Sequence, residues 1–314
     1  MYPLLLKPVI KDYIWGGRRL IDEYGYEANG EVAAEAWVLS CREGNENVVL
    51  NGEYKGKLLS EVPWVDKEKF PLLVKLIDAE RDLSIQVHPS KECAALYEGD
   101  SPKTEMWYIL DSKEDARVIL GFNEQFEKKK RENKNDFLKD VSDFIKNGTI
   151  TDVCRSVSVR QDDMVFVEPG TLHAICRGIF LAEVQQNSDT TYRVYDYGRL
   201  GADGRPRQLH VERALDALKF SPDTPLAVKD ETVMTDHGSV RDVAIGDVGS
   251  KIILLDGQCG AMAEGTYHVL VLSGIVRVAW EKESLELSKG DSVLIPGGLA
   301  HTVSGKAKLL VSAL

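Results

Sequence analysis

Polar and apolar residues alternate most clearly along Leu83-Ser84-Ile85-Gln86-Val87-His88-Pro89. In an extended strand this spacing places Ser84, Gln86 and His88 on one face and Leu83, Ile85 and Val87 on the other. Phe70 to Asp78 is an apolar run that leads through a polar turn, Asp78 to Asp82, into this strand, which predicts a hairpin. Lys103-Thr104-Glu105-Met106-Trp107-Tyr108-Ile109-Leu110 repeats the alternation and aligns Lys103 with Glu105. Further strands are expected over Ala33 to Ser40, Arg117 to Phe122, Val153 to Val167 and Gly178 to Gln186. A Pro-Gly turn after Val165-Phe166-Val167-Glu168 presents His173 at a strand end.

Helical spacing interrupts this β pattern three times. Ser90 caps a short helix that runs to Tyr97 and ends at Gly99, and 209–218 reads as another helix. Between Asn123 and Gly148 the chain is dense in Lys, Glu, Asp and Asn, with Phe126, Phe137, Leu138, Val141, Phe144 and Ile145 at near-helical intervals. An amphipathic helical insertion over about 123–148 follows, with Lys128 to Lys134 as its solvated face. The segment 187–199 is polar, aromatic and not helical, 220–225 reads as a linker, and the remaining tail predicts short strands almost throughout.

The tail also contains an echo. Gly290-Asp291-Ser292-Val293-Leu294-Ile295-Pro296-Gly297-Gly298-Leu299-Ala300-His301 repeats Asp163 to His173, with an Asp ten positions before a His in each copy. Two related β units are implied, over 1–222 and 223–314.

Composition narrows the class of function. A chain of 314 residues with 43% hydrophobic content can bury a sizeable core. The net charge of -11 argues against a sequence-independent grip on nucleic acid or an acidic membrane, so an anionic ligand must be met by local cations. The five cysteines, Cys41, Cys93, Cys154, Cys176 and Cys259, have no C-x-x-C spacing and read as reduced thiols. Neither a signal peptide nor an apolar run near the roughly 18 residues that span a membrane is found, and the expected location is cytoplasmic.

Gln86, His88, Glu105 and His173 can converge from three strands. Two imidazoles, a carboxylate and an amide oxygen suit a borderline divalent metal, zinc first and then iron, manganese or cobalt. His210, His237, His268 and His301 read instead as structural histidines, and Trp15, Trp37 and Trp107 as packing residues rather than sugar platforms. No counterpart of Glu105 or of Gln86-Val87-His88 occurs around Tyr267-His268, so the tail unit is expected to carry no metal.

The G-D-x-V-x-I-P-x-G-x-x-H string of the tail resembles the second sequence motif of the cupin superfamily. That likeness implies a mainly β chain of two jelly-roll barrel units with a small α-helical insertion. A more specific resemblance runs in order from residue 8 to about 200, through Pro8 to Gly17, Phe70 to Asp78, Leu83 to Pro89, Lys103 to Tyr108, Val167 to Ile175 and Glu183 to Arg193. These segments are similar to type I mannose-6-phosphate isomerases, most of all to their short bacterial form. The resemblance implies interconversion of mannose 6-phosphate and fructose 6-phosphate with one zinc ion per chain. It makes Gln86, His88, Glu105 and His173 the metal ligands, although short forms can rely on His, Glu and His alone. Arg193 matches the family's active-site arginine, Ser84 and Lys103 fall where the family contacts substrate, and Glu183 and Asp189 belong to the motif that leads to the arginine.

These assignments are chemically coherent. Aldose-ketose isomerisation moves a proton between C2 and C1 through a cis-enediol while charge builds on O1 and O2. Glu183 is the first choice of base, Arg193 can share the developing charge, and Lys103 can hold the phosphate or shuttle a proton. Two rival readings have their own marks. A non-haem Fe(II) cupin oxygenase also uses two His and a carboxylate but consumes oxygen, and a non-catalytic sugar-binding cupin has no need of Lys103, Glu183 and Arg193.

Overall fold

The computed structural model describes residues 1–97, 102–201, 204–219, 232–235, 238–245, 248–262 and 264–314. In chain order its strands begin with β1 (Leu4–Lys7), β2 (Val9–Lys11), β3 (Glu35–Leu39), β4 (Val48–Val49), β5 (Leu72–Ala79), β6 (Ile85–Val87) and β7 (Glu105–Ser112). They continue with β8 (Arg117–Phe122), β9 (Cys154–Ser158), β10 (Met164–Val167), β11 (His173–Ile175), β12 (Ile179–Gln186) and β13 (Tyr192–Tyr195). The tail adds β14 (Thr232–Thr235), β15 (Gly238–Ile245), β16 (Val248–Cys259), β17 (Tyr267–Trp280), β18 (Glu283–Ser288), β19 (Ser292–Ile295) and β20 (His301–Ala313). Helices α1 (Arg19–Asp22), α2 (Lys91–Tyr97), α3 (Glu124–Glu132), α4 (Lys134–Lys146) and α5 (Val211–Ala217) complete the main elements.

The chain is mostly β, and among the described residues its strands form three open antiparallel sheets. One has the order β10-β7-β12-β5-β3-β2 and a second β13-β6-β11-β8-β9, and these face each other. Ile77, Trp107, Ile109, Val165 and Leu181 of the first meet Val118, Leu120 and Ile175 of the second in a common core. The outer face of the six-stranded sheet is also covered. Leu72, Val74, Leu76, Met106, Tyr108 and Val184 pack there against Leu4, Leu6, Ile252, Leu270, Leu294 and Leu310. Burial on both faces explains why β5 reads as a nearly continuous apolar run, broken only by Lys75 and Asp78, rather than an alternating one.

The third sheet, β14-β15-β16-β20-β17-β19-β1-β4 with β18 beside β17, encloses a core of its own. Its strands β1 and β4 come from the first fifty residues, since Leu4 to Leu6 pair with Ser292 to Leu294 and Leu6 also with Val49. Asn47 fastens this arrangement. Fully buried, it donates to the Lys7 and Trp37 carbonyls at 2.9 and 2.8 Å and accepts from the Ser40 amide at 2.5 Å. Asn47→Ala orphans these backbone groups and is expected to cost about 2–4 kcal/mol, read as a lower urea midpoint.

Several sequence expectations change. The segment 70–88 is no hairpin, because both edges of β5 are taken by β3 and β12 and the chain crosses to the other sheet before forming β6. Leu83 precedes β6 and joins the inner core, while Ile85 and Val87 pack outward as alternation predicts. The single strand expected over 153–167 is divided by a turn in which Asp162 has φ 70°. The tail is not built of short strands throughout, since β16, β17 and β20 have 12, 14 and 13 residues. Their internal Gly257, Gly274 and Gly305 look like turn signals in the sequence but sit inside paired strands.

The insertion is helical, but it is two helices. Asn133 divides them by accepting from the amides of Asn135 and Asp136 at the start of α4. Phe126, Phe137, Val141 and Ile145 pack on the outer face of the five-stranded sheet. The expected helix end at Gly99 and the linker 220–225 lie outside the described residues, as do the side chains 129–132 of the predicted solvated face.

Candidate active site

One row of residues from each facing sheet builds the site. Across the five-stranded sheet Arg193, Gln86 and His173 are direct neighbours in register. Across the six-stranded sheet one row carries Trp37, Lys75, Glu183 and Trp107, and the next pairs Gln185 with Glu105. Period-two alternation on every strand turns these polar groups inward and the intervening aliphatics outward. They meet around a cavity of about 300 Å³, whose wall includes Tyr13, Trp15, Glu35, Lys75, Ser84, Gln86, Lys103, Glu105, Glu183, Asp189, Thr191, Arg193 and Arg207.

His88, Glu105 and His173 form a buried cluster whose ligand atoms all lie within 4.8 Å of one another. His88 Nε2 is 3.0 Å from Glu105 Oε1 and 3.2 Å from His173 Nε2, and His173 Nε2 is 3.8 Å from Glu105 Oε2. Both imidazoles are oriented from behind, His88 Nδ1 at 3.0 Å from the Thr190 carbonyl and His173 Nδ1 at 2.8 Å from that of Thr171. Because a carbonyl only accepts, each Nδ1 carries the proton and each Nε2 presents a lone pair to the cluster. Two buried lone pairs facing each other beside a carboxylate are mutually repulsive unless a cation joins them, so the donor set fits a divalent metal. The Gln86 amide reaches the same point, 3.3 Å from His173 Nε2, and a half-turn about its last torsion offers Oε1 as a further ligand. The turn that aims His173 requires Gly170, whose φ is +82° and whose Cβ position would lie 2.8 Å from the Ala217 carbonyl.

The electrostatics match this arrangement. Burial holds both histidines neutral, with His88 pushed down to about 3 by desolvation and then by Lys103, and His173 lowered for the same first reason. Burial alone would raise Glu105, but the Lys103 ammonium at 3.0 Å holds it well below the usual carboxylate range. Glu183 is pushed up to about 6 by burial and then by the Glu105 charge, against the opposing pull of Lys75 and Lys103. One oxygen of Glu183 lies 3.1 Å from Lys75 Nζ, and the other accepts from Trp107 Nε1 at 2.9 Å.

Of the residues selected from the sequence, Ser84, Gln86, Lys103, Glu105, Glu183, Asp189 and Arg193 line this cavity, while His88 and His173 lie buried behind its wall and meet it through Glu105 and Gln86. Arg193 donates to the Gln208 carbonyl at 3.0 Å, while Asp196 is occupied by Arg199 and Arg207. Sequence reasoning missed Lys75, Glu35, Tyr13, Thr191 and Arg207. Lys75 and Glu35 carried a signal, since each is a lone charge inside an apolar strand and a buried charge requires a partner. Trp107 packs as expected, yet its indole N–H also reaches two carboxylates, Glu105 at 3.2 Å and Glu183 at 2.9 Å. Of the histidines read as structural, His210 stands just before α5 and accepts from the Arg193 amide, and His268 contacts Ser292. His301 repeats the placement of His173, with Nδ1 on the carbonyl two residues earlier and Nε2 against the Tyr267 hydroxyl. His237 lies outside the described residues.

Comparison with known proteins agrees with the fold. A family model, phosphomannose isomerase type I, catalytic domain, matches residues 4–113. A probable mannose-6-phosphate isomerase of Bacillus subtilis, GmuF, is 40% identical over 324 residues and 99% of both chains. The mannose-6-phosphate isomerase ManA of the same organism is 35% identical over 332 residues, again 99% of both. A crystal structure of a mannose 6-phosphate isomerase from Bacillus subtilis superposes with a TM-score of 0.89 at 33% identity, covering both chains entirely. With full-length relatives above 30% identity and a His, Glu and His cluster on facing cupin-like sheets, the chain belongs to the type I mannose-6-phosphate isomerase family.

Proposed function

We propose that this protein is a cytoplasmic enzyme that interconverts mannose 6-phosphate and fructose 6-phosphate. In this reading it uses one divalent metal ion, zinc in the first place, held by His88, Glu105, His173 and the Gln86 amide oxygen. The observation that carries the reading is the pair of buried Nε2 lone pairs, 3.2 Å apart beside Glu105, which lines a cavity that also presents a carboxylate with a raised pKa. When bound, the ion supplies Lewis acidity that polarises the sugar oxygens.

The chain's own residues do the rest. Glu183 takes the C2 proton and returns it to C1; burial keeps it basic enough near neutrality and excludes competing water. Arg193 faces the charge that grows on O1 and O2, and Lys103 sits beside the ligand cluster, within reach of the same oxygens. At the cavity wall Ser84 can donate to the phosphate and Asp189 can accept from the sugar hydroxyls. Charge balance favours this ligand. The wall carries four cations, Lys75, Lys103, Arg193 and Arg207, against four carboxylates, Glu35, Glu105, Glu183 and Asp189, so a divalent ion leaves it positive for a phosphate dianion despite the net -11 of the chain.

A coupled assay for fructose 6-phosphate formed from mannose 6-phosphate tests the reading on purified protein, on chelated protein and after zinc is restored. Activity is expected to vanish with chelation and return with zinc. Metal-loaded protein with no turnover in any state would refute the proposal.

A further inference from the structure

Glu183 is held at both carboxylate oxygens by residues in its own row of the sheet. In register β12 places Glu183 opposite Lys75 on β5 and opposite Trp107 on β7, so all three side chains project from the same face. Trp107 Nε1 lies 2.9 Å from Glu183 Oε2 and 3.2 Å from Glu105 Oε2, and one N–H thus spans the proposed base and a proposed metal ligand. Lys75 Nζ lies 3.1 Å from Glu183 Oε1 but off the hydrogen-bond axis, so the contact is an ion pair that leaves this oxygen a lone pair. Lys75 is itself fixed from behind. Glu35 Oε2 is 3.7 Å away, the Trp37 ring centroid is 5.2 Å away, and Trp37 Nε1 donates to Glu35 at 2.7 Å. Lys75 is 5% exposed, Glu183 3% and Trp107 0%, so water does not compete for these contacts.

We infer that Lys75 and Trp107 are positioning residues for the isomerisation, a two-point clamp that fixes the plane of the Glu183 carboxylate and ties it, through the shared indole N–H, to Glu105. The inference rests on the reading of Glu183 as the base. A proton in flight between adjacent carbons demands an oriented acceptor, because misplacement of a catalytic group by about 1 Å can cost about a hundredfold in rate. The charged groups around Glu183 are Lys75 on β5, Glu35 on β3, Glu105 on β7 and Lys103 just before it. Lys75 contributes the cation that sits opposite the two neighbouring carboxylates.

Trp107→Phe keeps the ring and removes the N–H; Lys75→Met keeps the length and removes the charge; Lys75→Arg restores the charge. Each is compared with wild type as full chain loaded with zinc, by metal content, kcat, KM and the pH profile of kcat/KM for mannose 6-phosphate. Trp107→Phe is expected to retain one equivalent of metal and to lose about 10–100-fold in kcat, with KM changed less than about threefold. Lys75→Met is expected to move the acidic limb upward by about one pH unit or more, since the cation that favours the carboxylate form is gone, and Lys75→Arg to keep it in place. In the metal-free chain, 13C NMR titration of the Glu183 carboxyl is expected to move the same way in Lys75→Met. A wild-type kcat in Trp107→Phe, or an unmoved limb and titration in Lys75→Met, would overturn the clamp while leaving the isomerase reading intact. If Trp107→Phe fails to fold, the two Lys75 variants decide the question. A wild-type protein without isomerase activity would overturn both readings together.

Discussion

His173→Ala is expected to purify without its metal and to lose isomerisation of mannose 6-phosphate by about a thousandfold or more. His173 stands at the middle of the donor set, with its Nε2 3.2 Å from that of His88, 3.3 Å from the Gln86 amide and 3.8 Å from Glu105. Its orientation is fixed by the Thr171 carbonyl behind it and by the Gly170 turn before it. Truncation leaves one imidazole, one carboxylate and one amide, too few strong donors for a tight site. A second measurement separates lost metal from lost fold. Zinc binds the native state and should raise the melting temperature of wild type, whereas the variant should melt at the same temperature with or without zinc. Because truncation also leaves a buried void and orphans the Thr171 carbonyl, the metal-free variant is expected to melt somewhat below the metal-free wild type, and the zinc-induced shift within each protein is the deciding comparison. One equivalent of metal in the purified variant, found by elemental analysis, would remove His173 from the ligand set.

The site was legible in the sequence to the extent that strand parity governs it. Period-two alternation depends only on backbone geometry, so Gln86 with His88 and Lys103 with Glu105 could be aligned without knowing the fold. The Asp-to-His echo marked His173, and the structure shows His301 with the same carbonyl contact and the Tyr267 hydroxyl on its other nitrogen. What parity does not encode is which strands are neighbours. Lys75 stands opposite Glu183 although 108 positions separate them, and nothing local to either residue sets that register. For the same reason 70–88 resembled a hairpin: local turn chemistry is alike whether a chain reverses within a sheet or crosses to the facing one. The long strands of the tail were hidden by internal glycines, and the pairing of β1 with β19 joins residues nearly 290 positions apart.

Arg193→Ala is expected to keep fold and metal and to lower kcat by about 10²–10³, as removal of one donor to a developing oxyanion does elsewhere. Its place follows from register, because Arg193 lies opposite Gln86 and so shares the inward face of the ligand strand. Its charge also remains available. The neighbouring carboxylate, Asp196, is engaged by Arg199 at 2.5 Å and by Arg207 at 2.6 and 2.7 Å, which leaves the Arg193 guanidinium a backbone carbonyl at 3.0 Å and a buried Nε without a hydrogen-bond partner. A cation half removed from water and not neutralised by its own protein is costly in the resting state, and that cost is recovered when negative charge appears in front of it. The loss should therefore fall on kcat more than on KM. Arg193→Lys should recover part of the rate, since it restores the charge but not the planar fork. Turnover of Arg193→Ala at the wild-type rate, with one equivalent of metal bound, would show that the charge on O1 and O2 is met elsewhere in the cavity, with Lys103 the nearest remaining cation to the ligand cluster.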